Sequence, residues 1–387
     1  MESNKNSVIK FGGSSLSSAN EIKRVAEIIK SQPNARIIVV SAPGKNDENS
    51  RKITDELLLA HLNPDEFIER TNYVKNRFKS IINELNITFD LESEWSRIIR
   101  HYNMFPNKSY LISRGEYLCA KILSVYLDIP FVDASTLIIF NHKGKVLNIT
   151  YKNIKKALLE HRKFIMPGFY GAGLFGKIKV MSRGGSDISG SIAAKAIGAK
   201  KYLNYTDVDG VYSISPEISN NYKQIKTISY SDLSFLSFYG ASVFHYKCER
   251  FSDNFETRIL NTFNHFTKGT KVVSKSLVRN NSLTFTYANM IEYTDPKFEK
   301  LIKKSKCEIM LKYESSQSKF MIIKSNVGYV ENKKLQKAYN LSKKTCNVVI
   351  YAILGKVFKM IQYVKDEHKN LIICSNNKNQ TLLVYKL

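Results

Sequence analysis

The sequence predicts an α/β protein with a mainly parallel central sheet, helices on both of its faces and a small α+β domain after it. One observation behind this is the alternation of short apolar strands with amphipathic helices in the first part of the chain. The other observation is the distribution of glycine and proline along the chain: 16 of the 18 glycines and seven of the eight prolines lie before residue 271. A chain of 387 residues is long enough for two domains, which we predict at 1–274 and 275–387.

The elements of the first domain follow one another along the chain. Val8–Phe11 is a short strand that ends at Gly12-Gly13, and Glu21–Lys30 has its apolar residues on one helical face. Arg36–Val40 is a β-branched strand, and residues 51–105 are mostly helical. Further strands are predicted at 131–133, 163–167, 177–181, 200–205 and 257–261, and further helices at 114–127, 151–161, 187–198, 231–239 and 246–254. Parallel sheets of this kind bind ligands at the carboxyl ends of their strands.

The second domain is predicted from a different pattern. It has β-branched runs at 320–323, 347–353 and 371–374, and an amphipathic stretch at 332–344. It contains no motif that carries chemistry. We therefore expect the functional site in the first domain.

Composition excludes several classes of protein. Hydrophobic residues make up 43% and charged residues 24% of the chain, which excludes wholesale disorder. No apolar run is long enough to span a membrane, and the N-terminus lacks the apolar core of a signal peptide. The five cysteines are widely spaced, which favours a reducing compartment over disulfides or a zinc site. We expect a cytoplasmic protein.

The formal net charge of +25 has two interpretations. Residues 271–387 hold 22 basic and 8 acidic residues, so the C-terminal part could bind an anion. The alternative is a lysine-rich surface with no specific partner. Neither a block of consecutive basic residues nor an aromatic–basic ribonucleoprotein motif occurs, so nucleic acid is not a predicted partner.

Four segments carry residues that could bind a charged ligand. In the first, Lys10 precedes Gly12, Gly13 and Ser14 at the end of a strand. Glycines there let backbone amides approach an anion, and a lysine can reach phosphate oxygens as a point charge. The alternative is a turn with a purely structural role.

The other three segments each have a comparable alternative. Glu116 opens a helix and could bind an ammonium group or simply stabilise the helix dipole. In Ser182–Asp187, two glycines, a hydroxyl and an acid surround Arg183, whose guanidinium fits a carboxylate. Thr206–Tyr212 could offer polar groups and an aromatic ring to a nucleotide, or could be an ordinary turn.

In order and spacing these segments resemble the aspartokinases of the amino acid kinase family. The resemblance covers about residues 7–272 and rests on eight motifs: residues 10–15, 41–44 with Thr54-Asp55, 113–116, 167–171, 182–187, 206–212, 240–243, and 261–263 with 269–270. It implies a three-layer αβα amino acid kinase fold. It also implies transfer of the γ-phosphoryl group of MgATP to the side-chain carboxylate of L-aspartate, the first step towards lysine, methionine and threonine.

The resemblance implies a role for each matching residue. The predicted catalytic residues are Lys10, Gly13 and Asp187. The residues predicted to bind the substrate are Ser41, Thr54, Glu116 for its ammonium group, Arg183 for a carboxylate, and Ser186. The residues predicted to bind the nucleotide are Lys10, Gly12, Gly13, Ser14, Thr206, Asp207 and Tyr212. The cofactors would be ATP and the Mg²⁺ it carries, with no metal bound by the protein itself. The partners would be L-aspartate and ATP, in a homodimer and without a membrane.

The chain departs from the family pattern at three places. Ser215-Pro216-Glu217 stands where the family usually has Asp-Pro-Arg, and Ser242 where it usually has lysine. The C-terminal part lacks the glycine-bearing turn of an effector-binding ACT domain, so we predict a degenerate ACT-like domain there. Two alternatives stay open: a catalytically impaired regulatory or ligand-binding protein, and a family kinase that acts on another carboxylate.

Overall fold

A computed structural model describes the residues 6–182, 184–241, 243–251, 255–264, 266–274, 280–305, 307–314, 319–324, 342, 344–355, 364, 371–377 and 380–386. The chain divides into two units. The first comprises residues 1–211, 224–234 and 242–278, and the second comprises residues 212–223, 235–241 and 279–387. The predicted domain boundary after residue 274 stays a prediction.

The first unit is built on a mainly parallel sheet. Its strands are β1 (Ser7–Phe11), β2 (Ala35–Val40), β3 (Ile139–Phe140), β4 (Phe164–Pro167), β5 (Tyr170–Gly173), β6 (Ile178–Val180), β7 (Lys201–Thr206), β8 (Thr227–Ser229), β9 (Glu256–Asn261) and β10 (Thr270–Val273). Among the described strands, seven form the main sheet in the order β4-β2-β1-β7-β9-β10-β8, and β3-β5-β6 form a small second sheet. All neighbours in the main sheet are parallel except β9 and β10. The predicted parallel sheet is confirmed.

Helices cover this sheet on both sides. The helices of this unit are α1 (Ala19–Ser31), α2 (Ile53–Leu62), α3 (Phe67–Leu85), α4 (Leu91–Met104), α5 (Lys108–Ile112), α6 (Arg114–Leu127), α7 (Ala134–Leu137), α8 (Ile149–His161) and α9 (Gly185–Ile197), with short 3-10 helices at Ser14–Leu16, Pro64–Glu66 and Tyr246–Phe251. The residues of a further helix, α10 (Tyr230–Phe238), are divided between the two units after Ser234. Every residue of β1 is buried, as expected of a strand covered on both faces. Across the described residues, no helix is both long and apolar enough to cross a bilayer.

The helix α9 approaches the sheet closely because it contains a glycine. A Cβ at Gly190 would lie 2.3 Å from the hydroxyl oxygen of Tyr202 on β7. That hydroxyl donates to the backbone carbonyl of Asp187 at 3.2 Å, in the first turn of α9. The glycine thus lets the start of α9 lie directly against β7.

The second unit contains an antiparallel sheet. Its elements are β11 (Ser282–Tyr293), α11 (Pro296–Ser305), β12 (Ile309–Glu314), β13 (Lys319–Lys324), β14 (Lys344–Leu354), β15 (Leu371–Asn377) and β16 (Gln380–Lys386). The described strands lie in the order β12-β13-β11-β14-β16-β15. Phe298 and Ile302 of α11 pack on Ile291 and Met321 of the sheet. The three strands predicted in this region are confirmed.

Three of the predicted elements have different outcomes. The helix predicted at 114–127 is confirmed at the same bounds. The strand predicted at 131–133 is wrong: Phe131 makes one isolated bridge, because the Asp133 side chain accepts from the amide of Ser135 and begins α7. The stretch predicted at 332–344 lies outside the described residues, apart from residues 342 and 344.

A buried carboxylate joins α2 to α3. Glu56 on α2 is 2% exposed, and its Oε2 lies 3.0 Å from Nη1 of Arg70 on α3. It also lies 3.1 Å from Nη1 of Arg51, in the loop before α2. Thr54 lies in the first turn of the same helix, so these pairs hold the segment that carries one of the predicted substrate residues.

We expect Glu56→Gln to lower the free energy of unfolding by about 2 kcal/mol, because two guanidinium groups lose a buried anionic partner. Urea unfolding measures this. Glu69→Gln is the matched control: Glu69 also pairs with Arg51, at 3.7 Å, but its side chain is 72% exposed. Its loss should cost less than about 0.5 kcal/mol. Equal effects of the two substitutions would contradict this account.

Candidate functional site

Several predicted site residues lie at one edge of the main sheet. Strands β1, β2 and β7 are parallel neighbours, so their carboxyl ends meet there. Backbone hydrogen bonds continue past the strand ends: the amide of Gly12 donates to the carbonyl of Tyr205 at 3.0 Å, and the amide of Ser41 donates to the carbonyl of Phe11 at 3.2 Å. The structure thereby brings Gly12, Ser41 and Thr206 to the same edge.

The centre of this edge is a buried ion pair. Lys10 Nζ on β1 lies 2.6 Å from Oδ1 of Asp187 on α9, and the two side chains are 9% and 10% exposed. The side chain of Asn204 on β7 contacts both groups. The backbone amide of His245 donates to the other carboxylate oxygen of Asp187 at 3.0 Å. A buried charge is costly unless it is paired and hydrogen-bonded, and both charges here meet that condition.

The loop after β1 packs directly on the loop after β2. The amide of Gly44 donates to the carbonyl of Gly13 at 2.8 Å. A Cβ at Gly13 would lie 2.9 Å from the carbonyl oxygen of Ala42, and a Cβ at Gly44 would lie 2.8 Å from the carbonyl carbon of Gly13. Arg77 of α3 donates to the carbonyls of Ser17 and Gly44 at 3.0 and 3.1 Å, and so ties both loops together.

Gly12 is in a different environment from Gly13. The nearest atoms to a Cβ there would be the carbonyl oxygen of Tyr205 at 3.5 Å and Lys10 Nζ at 3.6 Å. These are ordinary contact distances, so the fold itself does not require glycine at this position. The absence of a side chain beside the Lys10 ammonium leaves its approach open to a ligand.

Glu116 is a buried carboxylate in the first turn of α6. It is 4% exposed, and its Oε2 has no hydrogen-bond partner among the described residues. Burial raises the pKa of the Glu116 carboxyl to about 8, although backbone amides and the Arg114 guanidinium act in the opposite direction. A Cβ at Gly115 would lie 2.8 Å from Ala42 Cβ and 2.9 Å from Ile53 Cγ2. The start of α6 therefore packs against the segments that carry Ser41 and Thr54.

The other predicted residues lie in different places. Ser186 is buried beside Gly168, where a Cβ would lie 2.6 Å from the Ser186 Cβ. Thr206 donates to the exposed carboxylate of Asp207 at 3.1 Å. Tyr212 belongs to the second unit, with its ring 4.7 Å from that of Tyr222. Arg183 lies outside the described residues.

Sequence reasoning missed three residues that hold this edge together: Asn204, His245 and Arg77. Asn204 carries one usable signal, a polar side chain between Leu203 and Tyr205 in an apolar strand, because such a side chain needs a buried partner. Neither His245 nor Arg77 stands out in the sequence, since one acts through its backbone amide and the other binds backbone carbonyls.

The described geometry can accept an anion beside a cation. Lys10 supplies the ammonium, and the adjoining glycine loop supplies backbone amides, an arrangement that suits a phosphate group. Glu116 supplies a carboxylate without a partner, which suits a ligand that carries an ammonium group. The two predicted binding functions are thus represented in one unit.

Comparisons with known proteins agree with this description. The chain matches the model of the amino acid kinase family over residues 5–261. Aspartokinase 3 of Bacillus subtilis is 34% identical over 288 residues, which are 69% of this chain and 63% of that protein. Aspartokinase 1, chloroplastic, of Arabidopsis thaliana is 28% identical over 296 residues, which are 70% of this chain and 52% of that protein. The chain thus spans less than two thirds of the length of these curated relatives.

Two solved structures resemble the whole chain. The aspartate kinase of Clostridium acetobutylicum superposes with a TM-score of 0.76 at 27% identity, covering 98% of this chain and 96% of that one. E. coli aspartokinase III in complex with aspartate and ADP gives a TM-score of 0.80 at 19% identity, again over 98% and 96%, a likeness that shows the fold alone. The family resemblance and the fold predicted from the sequence are confirmed.

We expect Gly13→Ala to lower the free energy of unfolding by about 1–3 kcal/mol, because its Cβ would force the loop after β2 to move. Gly12→Ala is the matched control and should change the free energy by less than about 0.5 kcal/mol. Urea unfolding of both variants measures the difference. Two equally stable variants would show that the two loops are not in the tight contact described above.

Proposed function

The chain belongs to the amino acid kinase family, and we propose that within this family it is an aspartate kinase. It would transfer the γ-phosphoryl group of MgATP to the side-chain carboxylate of L-aspartate and so form 4-phospho-L-aspartate. The observation that carries the proposal is the Lys10 ammonium, held 2.6 Å from Asp187 beside the glycine loop at the carboxyl edge of the sheet.

Phosphoryl transfer to a carboxylate requires mainly that the protein place positive charges and hydrogen-bond donors correctly. The attacking carboxylate is already an anion, so no general base is needed. The difficulty is to bring it up to a polyanionic phosphate, which calls for positive charge and backbone donors in a fixed geometry. Lys10 and the amides of Gly13 and Ser14 would supply these on the phosphate side, with Lys10, Gly13 and Asp187 as the catalytic residues. Gly12, whose own amide donates to Tyr205, would bind the phosphate side by leaving the approach to Lys10 open.

Glu116 would bind the ammonium group of aspartate. Its unpartnered Oε2 is the buried acceptor that such a group needs. Ser41 and Thr54 would line the same side, since their segments pack against the start of α6. Arg183 is proposed for a carboxylate of the substrate, with Ser186 beside it.

The nucleotide would lie at the carboxyl end of β7. Thr206 and Asp207 follow that strand and would contact the nucleotide, as would Tyr212. Mg²⁺, carried on the phosphate oxygens, would neutralise charge as the phosphoryl group moves. A homodimer and a degenerate ACT-like role for residues 275–387 are part of the same proposal.

The proposal is tested by trapping the acyl phosphate with hydroxylamine. We expect MgATP-dependent product with L-aspartate, and none with L-glutamate, N-acetylglutamate or buffer. Lys10→Met should reduce turnover by about 10²–10³-fold, because one preorganised donor to the phosphoryl group is removed. Lys30→Met, which changes an exposed lysine at the end of α1, is the control and should leave turnover unchanged.

Two outcomes would contradict the proposal. The first is that no acid gives product with folded protein that still binds ATP. The hypothesis of a catalytically impaired regulatory or ligand-binding protein would then explain the result better. The second is product with glutamate or N-acetylglutamate instead of aspartate, which would favour a family kinase that acts on another carboxylate.

The raised pKa of Glu116 predicts a pH dependence. Below about pH 8 the free carboxyl is largely protonated and must lose its proton before it can pair with the substrate ammonium. We therefore expect kcat/KM for aspartate to rise with pH from about 6.5, to reach half its maximum near pH 8 and to level off above about pH 9. In Glu116→Gln the value should be much lower and independent of pH over this range. A flat profile in the unsubstituted protein would show that Glu116 is already ionised before aspartate binds.

A further inference from the structure

We propose that Asn204 is a positioning residue, which fixes the direction in which Lys10 points an N–H hydrogen-bond donor at the phosphoryl group. This proposal rests on the function proposed above. Lys10 and Asn204 are direct partners in the register of the parallel strands β1 and β7. Their side chains therefore leave the sheet on the same face, and Asp187, in the first turn of α9, contacts them there.

The amide of Asn204 bridges the two charged groups. Lys10 Nζ donates to Asn204 Oδ1 at 3.2 Å, and Asn204 Nδ2 donates to Asp187 Oδ1 at 3.1 Å. The orientation of the amide follows from chemistry, because an ammonium can only donate and an ionised carboxylate can only accept. Asn204 is 0% exposed, so water does not substitute for either contact.

These contacts determine where the remaining donor points. An ammonium has three N–H groups. One is directed at Asp187 and one at Asn204, and no third partner of Lys10 is found among the described residues. Because the N–H groups are tetrahedrally arranged, two fixed partners on different elements fix the direction of the third. With Asp187 alone, the lysine side chain could change its torsion angles while it keeps that single contact, and the third N–H would then point elsewhere.

A side chain that serves both charged groups at this position must accept from Lys10 and donate to Asp187. Leucine has a similar size but would leave both charged groups short of one hydrogen bond. Aspartate would accept from Lys10, but when ionised it would face Asp187 as a second carboxylate. A protonated aspartate, by contrast, has an O–H donor for Asp187 and a carbonyl acceptor for Lys10, so it can serve both groups as the amide does.

The experiment uses the full chain with Asn204→Leu, Asn204→Asp and, as the matched control, Tyr202→Phe. Tyr202 is equally buried on the same face of β7 and donates to Asp187, but to its backbone carbonyl and without contacting Lys10. We expect Asn204→Leu to lower kcat by about 10–10²-fold with KM for aspartate within about twofold, and Tyr202→Phe to keep kcat within about twofold. Urea unfolding of each variant separates lost stability from lost turnover.

The pH dependence of kcat in the Asn204→Asp variant distinguishes a positioning role from a merely structural one. Its kcat relative to the unsubstituted protein should rise about tenfold between about pH 8 and pH 6, as one of the two neighbouring carboxylates becomes protonated. The same ratio for Asn204→Leu should not change with pH. A flat ratio for Asn204→Asp, or unchanged kcat in Asn204→Leu, would overturn the proposal.

Failure of the proposed function would look different. If the unsubstituted protein phosphorylates no acid, the kinase proposal fails, and Asn204 is then tested by calorimetric binding of MgATP without an acceptor. Asn204→Leu should bind MgATP at least about threefold more weakly than Tyr202→Phe, because Lys10 no longer points one donor at the phosphates. Equal affinities would overturn the positioning role.

Discussion

The first unit depends on one requirement, which is that the buried ammonium of Lys10 have a counter-charge and hydrogen-bond partners. A buried ammonium is tolerated only with a counter-charge and further hydrogen bonds. For Lys10 these come from Asp187 and Asn204, so three elements must meet at one point: β1, the first turn of α9 and the middle of β7. The neighbouring order of β1 and β7 and the position at which α9 begins both follow from this requirement.

Close backbone approach is the second requirement, and glycine meets it in two different ways. At Gly13 and Gly44 it lets two loops touch, which forms a continuous backbone surface beside the Lys10 ammonium. At Gly190 it lets α9 lie against Tyr202, which brings the Asp187 carboxylate within reach of Lys10. The glycines at 13 and 44 shape the surface that would receive a ligand. The glycine at 190 places the Asp187 carboxylate next to the Lys10 ammonium.

The local sequence pattern is sufficient to predict most of the helices and strands. Helix α6 was predicted at its observed bounds because its apolar spacing is uninterrupted, and the Lys10 segment was found because it combines a strand end with two glycines. The error at 131–133 arose where a helix cap competes with a short apolar run. Asn204 and His245 were missed because their roles depend on partners far away in the sequence: Lys10 and Asn204 are 194 residues apart.

The strand order also has a consequence for synthesis of the chain. Among the strands of the main sheet, β1 is made first, and its neighbour β2 is the next one made. The other edge of β1 is the partner of β7, which begins about 190 residues later. At ordinary translation rates of about 5–20 residues per second, that edge stays unpaired for roughly 10–40 s. A strand edge whose N–H and C=O groups stay unpaired for this long can pair with another chain, so the ribosome-bound protein would benefit from a chaperone until β7 emerges.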